Sequence, residues 1–231
     1  MAQDSDGWSG EASLTAANTT GNTETTDIGV GLKLAKEDGL WRHKLDAIVD
    51  YGEVDGNENR NRWSLGYQID RDLNERTYVY ANADVYQDEF GAFENGYFLG
   101  TGFGYKVILP DPTSWNVEGG AGYRVQEARD YVDTSVSPNV WINPEAEKEI
   151  ALRGFSDFDY ALNENVSFYN DTEVIWSESD KYLWNEVGLT AQLMGNLAAR
   201  ASFRVDHHTD VPPGTKKTDT ITRFGVVYTI N

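Results

Sequence analysis

The side chains that could do chemistry in this chain are few in kind. There are three histidines and no cysteine, which excludes thiol nucleophiles, disulfides and cysteine-built zinc sites. His43 falls on the apolar parity of a strand-like run, so an interfacial position suits it better than catalysis. A lipase-type site needs a nucleophile held against an oriented base, and nearby Ser9 has the opposite parity. His207-His208-Thr209-Asp210 offers imidazole and carboxylate to a metal. Adjacent strand side chains point apart and no third ligand is evident, so a solvated loop is expected there. Asp4-Ser5-Asp6-Gly7 and Asp55-Gly56-Asn57-Glu58 echo calcium loops but lack the closing bidentate Glu. They read as turns, with weak Ca²⁺ or Mg²⁺ binding at acidic loops the most they offer. Asp157 with Asp159, and Asp171 with Glu173, have the look of paired carboxylates for glycoside chemistry. Same-face pairs of this kind recur along the whole chain, so pairing with Arg or Lys across strands is expected instead. No catalytic residue and no dedicated metal site is assigned, and the chain reads as a non-enzyme.

The elements that carry these residues are strands. In Trp41–Gly52, WRHKLDAIVDYG, the residues Trp41, Leu45, Ala47, Val49 and Tyr51 share one parity; Arg42, Lys44, Asp46 and Asp50 share the other. Successive strand side chains point to opposite faces, so one face is apolar and one charged. The same alternation predicts strands over 8–18, 25–36, 40–51, 60–71, 76–88, 96–108, 114–127, 149–161, 165–177, 182–194, 196–206 and 218–230. These make about twelve, an even number, as in bacterial outer-membrane barrels. Each is about 11–13 residues long, enough to cross a bilayer at a tilt and longer than the usual globular strand. The connections alternate: AKEDGL, RDLNER, LPDPTS, ALNEN and MGNL are short, and most of the others are longer. Short turns belong to the periplasmic end of such barrels and long loops to the outside. The fold expected is therefore all-β, a single antiparallel up-and-down transmembrane barrel. Residues 1–7 form an N-terminal extension, 8–231 the barrel, and 129–148 a long extracellular loop.

Composition narrows the function classes. The 231 residues carry a formal charge of -19, and 13% are aromatic. Nucleic acid binding needs a basic footprint, so it is set aside. Mean hydropathy is -0.56, and no apolar run reaches the length of a membrane helix, a test that barrels escape because only alternate residues meet lipid. The opening MAQDSDGW has no apolar signal core; Ala2-Gln3 reads as the start of a mature chain after removal of an export signal.

Face assignment follows from girdle residues. Trp8, Trp41 and Trp115 open rising strands on the apolar parity, and Trp63, Tyr105 and Tyr228 share that parity. Aromatic girdles mark both rims of a membrane barrel, so the apolar face is expected outside. The lumen then receives Arg42, Lys44, Asp46, Asp50, Arg60, Arg62, Asp70, Asp84, Glu118, Arg124, Arg153, Asp157, Asp171, Glu173, Glu186, Arg200, Arg204 and Arg223. Asp27, Lys33, Lys106, Asp159 and Asp206 share that parity. The signs nearly balance, as suits acids and bases pairing inside a confined wet space. Most net negative charge is then left to the outer loops, an acidic mouth that concentrates cations or bridges lipopolysaccharide phosphates through divalent ions.

Trp8-Ser9-Gly10 followed by Gly21-Asn22-Thr23, then Trp41-Arg42, Asn61-Arg62-Trp63, Asp72-Leu73-Asn74-Glu75-Arg76-Thr77-Tyr78 and Gly102-Phe103-Gly104-Tyr105-Lys106 resemble the YdiY-like family of salt-induced outer-membrane proteins, a domain of unknown function. The likeness covers most of the chain in layout and is best over 8–107. It implies an outer-membrane barrel and brings no catalytic residue. Its implied surroundings are outer-membrane lipid, lipopolysaccharide and the barrel-assembly machinery. Many such barrels end on Phe; this sequence ends Tyr228-Thr229-Ile230-Asn231.

Eight strands fill their own interior and sixteen to eighteen leave an open pore, so about twelve falls between. The expected function is a narrow porin-like passive channel for small ions or solutes. The alternative is a plugged structural or envelope-stress barrel. An outer-membrane hydrolase lacks a visible constellation, and a soluble β-barrel carrier is the inside-out counterpart of the same alternation.

Overall fold

The computed structural model describes residues 7–20, 25–54, 57–109, 112–133, 138, 140–213 and 215–230. Alternation becomes ladder throughout. The strands are β1 (Ser9–Thr20), β2 (Thr25–Asp38), β3 (Trp41–Val54), β4 (Asn57–Asp72), β5 (Thr77–Asp88), β6 (Phe93–Ile108), β7 (Thr113–Ala128), β8 (Tyr131–Asp133), β9 (Val140–Ile142), β10 (Glu147–Asn163), β11 (Val166–Trp176), β12 (Lys181–Met194), β13 (Leu197–His208) and β14 (Thr218–Ile230). All but β8 and β9 close into one antiparallel barrel of twelve strands, ordered as in the chain. β1 meets β14 in continuous register, from Gly10 opposite Ile230 to Thr20 opposite Thr220. Closure leaves none of the twelve barrel strands at an open sheet edge.

At the short-turn end β2 passes to β3, and β12 to β13, through two residues each. Gly39 (φ 62°) and Gly195 (φ 54°) sit in these turns, where positive φ lets the turn follow the twist of the strands. At the other end the strands outrun the sequence-based limits. β3 reaches Val54 and β4 begins at Asn57, so the connection expected to be long is two residues. The period-2 pattern persists there in polar residues, and a ladder in water needs no apolar face. Long connections at this end are 129–146 and 209–217; the former folds back on itself as the β8–β9 hairpin. The expected motifs at 4–7, 21–23 and 55–56 lie wholly or partly outside the described residues.

The barrel is apolar outside and polar inside. Ile150 is 77% exposed and Leu99 65%, with Leu14, Ile28, Phe103 and Phe224 similarly bare. A continuous apolar belt of this kind meets lipid; on a soluble protein it would be an outsized patch. Trp8, Trp41, Trp115, Tyr105 and Tyr228 are exposed on this belt at the short-turn rim, and Trp63 is exposed towards the opposite rim, where it donates to Gln87. The buried set instead includes Asp27, Asp50, Asp70, Arg60, Arg124, Arg153 and Arg223.

Candidate functional site: the barrel lumen

One cavity of about 680 Å³ runs along the bore, from Glu11 and Lys44 towards the short-turn end to Asp88 and Phe93 towards the loops. Its wall has two unlike halves. β5, β6, β10, β11 and β12 supply the inward rings, Tyr78, Tyr80, Tyr86, Phe98, Phe155, Tyr169, Tyr182 and Trp184, and β7 supplies glycines beneath some of them. Tyr78, Tyr80, Tyr86, Phe98 and Tyr169 lie against inward glycines on the same strand or on nearby strands. A Cβ on Gly104 would sit 2.1 Å from the Tyr78 ring, one on Gly122 2.5 Å from Phe98, and one on Gly188 2.3 Å from Tyr169. Glycine is needed there because the rings lie flat on the backbone. The other half, β13, β14 and β1 to β4, turns in Ser13, Thr15, Gly29, Gly31, Ser64, Gly66 and Ser202 between its charges, and none of the rings just named.

Ion pairs fill much of the space between. Towards the short turns, Arg42 donates to Asp72 (2.6 Å) and Asp70 (3.1 Å), Lys44 reaches Asp70 (3.1 Å), and Lys106 reaches Asp72 (3.1 Å). Midway, Arg153 donates to Glu118 (2.7 Å) and Glu173 (2.6 Å). Tyr78 and Gln68 also donate to Glu118, at 2.9 and 2.8 Å, and Trp184 donates to Glu173 at 2.8 Å. Arg204 lies over Trp184 (4.3 Å) and donates to Asp206 (2.8 Å). Arg223 bridges Asp50 (3.1 Å) and Glu186 (3.9 Å), Arg60 pairs with Asp27 (3.0 Å), and Arg200 with Glu11. Arg62 stands between Asp50 and Asp88 on the flanking strands. Asp46 and Asp84 flank Gly66 in register. These partners are fully or half desolvated, so removing one strands the other.

The loop end carries a second cluster. Phe93 of β6 meets His208 of β13, ring centroids 5.3 Å apart, although four strands separate these elements around the wall. His208 stacks on Tyr182 (4.6 Å) and its Nδ1 contacts Asp180 (2.6 Å); Arg124 donates to Asp180 (3.3 Å) and to Ser177 (3.1 Å). Burial pushes the Asp180 carboxyl up, but the hydrogen bond and charge of His208, the Asp210 backbone N–H and Arg124 outweigh it and hold it at about 2. The acidic turn at 177–180 is therefore a built clamp, not a solvated run.

Every charged side chain expected in the lumen lies on the inward parity of its strand. Two readings need correction. His207 and His208 end β13 rather than lying in a loop, and the inward His208 is half-buried in the mouth cluster. Asp157 and Asp159 have no cation opposite them on the flanking strands, Asp157 facing Asn116 and Asp171, and Asp159 facing Ser114 and Tyr169, while Asp171 and Glu173 have cationic partners. His43 stays on the outer surface, bonded to Tyr67 (2.7 Å). Among the described residues no group of three or more His, Asp or Glu is placed to hold a metal. Sequence reasoning missed the inward aromatics, and with them Asp72 and Asp88. A signal existed: Tyr78-x-Tyr80 beside Gly100-x-Gly102-x-Gly104.

The family described as "Protein of unknown function, DUF481" matches residues 12–230. No curated protein matches the chain. In fold the chain is similar to the NanC porin, with a TM-score of 0.59 at 11% identity over 94% of this chain and 98% of that one. It is similar also to the translocator domain of autotransporter NalP from Neisseria meningitidis, with a TM-score of 0.54, 16% identity, and 97% and 89% covered. An outer-membrane channel from Pseudomonas putida F1 gives 0.54 at 9% identity, with 100% and 99% covered. At these identities the likeness speaks for the barrel itself.

Proposed function

The chain belongs to the DUF481 family, and on that premise we propose that it is a narrow passive channel of the bacterial outer membrane for small ions and small polar solutes. The observation that carries this is the charge-lined cavity of about 680 Å³ along the axis of a closed barrel with an apolar outer belt. The porins and channels of like fold support the reading. Crowded ion pairs favour small solutes over large ones, and acidic residues at the loop end favour cations. The loop acids would also meet lipopolysaccharide through Mg²⁺ or Ca²⁺. The resemblance to salt-induced proteins supports a role in envelopes under salt stress.

Single-channel current from the refolded protein under a KCl gradient tests this. Discrete steps with a cation-leaning reversal potential are expected, and Asp46→Asn should shift that potential towards anions, since Asp46 faces the open bore without a direct partner. A silent membrane that holds inserted barrels overturns the reading. It would favour a plugged barrel, which has its own observation: the Phe93–His208 contact across the mouth.

A further inference from the structure

The inward faces of β10, β11 and β12 place Asp157, Asp171 and Glu186 directly opposite one another in register. Like charges so placed repel, and their own strands set no cation beside Asp171. On the far wall, Lys33 of β2 stands in register between Glu11 and Asp46, either of which is a ready partner. Its Nζ instead comes within 3.8 Å of Asp171 Oδ2. β1, β14, β13 and β12 lie between β2 and β11 around the wall, so the side chain crosses the bore. It is 58% exposed and lines the cavity, as expected of a chain standing in open water rather than lying on a wall. The ammonium thus stands between two acidic arcs, Glu11 with Asp46 on one side and Asp157, Asp171 and Glu186 on the other.

We propose that Lys33 is the residue that sets ion preference and conductance, a tethered cation standing where a passing cation would be held. The inference rests on the channel reading. A cation travelling the bore meets carboxylates from both walls whose field is already neutralised by an ammonium that cannot leave. An anion meets that ammonium as the most exposed cation at this level, beside Arg200 and Arg223, which are held by Glu11 and Glu186. The residue therefore lowers cation flux and moderates selectivity at the same time.

Single-channel currents of the wild type and Lys33→Met under a KCl gradient test it. The variant should conduct K⁺ about twofold better or more, with a reversal potential shifted towards the ideal cation value. Asp171→Asn, which frees the ammonium, should shift it the other way. The chain has no cysteine, so Lys33→Cys gives a unique thiol in the assembled barrel. Coupling an aminoethyl group there should return wild-type currents, and coupling a sulfonatoethyl group should not. Lys33→Met with wild-type conductance and reversal potential overturns the proposal while leaving the channel reading intact. Thiol derivatives of opposite charge that conduct alike overturn it too. Silence from both wild type and variant in membranes holding inserted barrel removes the channel reading and this proposal together.

Discussion

The two halves of the barrel wall solve one problem differently. From β5 to β12 the inner surface is closed by rings, most of them laid on glycine, and its central ions are locked: Arg153 is 8% exposed and Glu118 7%. From β13 round to β4 the surface between the charges is made of small residues; Asp50, Asp70, Arg60 and Arg223 are buried there, while Lys33 and Lys44 reach into the bore with 58% and 35% of their side chains exposed. One half is a scaffold, stiff because each ring must sit where a side chain would otherwise be. The other half is a lining, whose exposed lysines can be changed without dismantling the wall.

The comparison breaks most readily at its buried ions. Arg153→Met leaves Glu118 and Glu173 without their guanidinium and should cost about 3–5 kcal/mol. Lys44→Met, on the lining half, leaves Asp70 its bonds from Arg42 and should cost about 1 kcal/mol or less. Urea unfolding in lipid vesicles measures both, and equal costs would erase the distinction between halves. The next largest effect should show no such asymmetry. Leu99→Arg on the scaffold half and Leu14→Arg on the lining half both put a charge on the lipid face, each costing about 2–4 kcal/mol near mid-bilayer. A marked difference between them would mean that the two halves also differ outside.

Smaller again are the glycine tests. Gly104→Ala forces a methyl against Tyr78, which is 1% exposed and bonded to Glu118, so overpacking should cost about 1–3 kcal/mol. Gly66→Ala meets the Asp84 carboxylate oxygen at 2.7 Å, the far end of a flexible side chain exposed to the bore and bonded to Asn82 through its other oxygen, and should cost about 0.5 kcal/mol or less. An effect of comparable size is set by pH at the mouth. The Asp180 carboxyl is held below its ordinary value, so its contribution is complete above about pH 4 and fades as pH falls towards 2, amounting to about 1 kcal/mol after screening. Protease sensitivity of the 177–180 turn should rise over that window in the wild type. Asp180→Asn should show the higher sensitivity at neutral pH and lose most of the dependence.

Much of the barrel is legible because period 2 is a local signal. The alternation in Trp41–Tyr51 assigns inside and outside without knowledge of any neighbour. Strand ends were less legible at the loop side, because polar residues that continue a ladder in water look like turn residues. Partners across the bore were not legible at all. That Lys33 meets Asp171, or Phe93 meets His208, depends on how closure brings non-adjacent strands face to face, which no single segment encodes. The scaffold half was readable in principle from tyrosines alternating beside alternating glycines. It stayed unread because glycine in a strand weakens the signal, and aromatics were assigned to the lipid rims.

The β1–β14 seam has a consequence for biogenesis. The ring is finished by the two barrel strands farthest apart in sequence, Gly10 opposite Ile230 at one end of their ladder. Contacts of such long separation form late and slowly. Until they form, two bare hydrogen-bonding edges face outward, open to pairing with any other unfinished copy. Quality control of this protein therefore reduces to one event: whether the last strand finds the first before it finds a stranger.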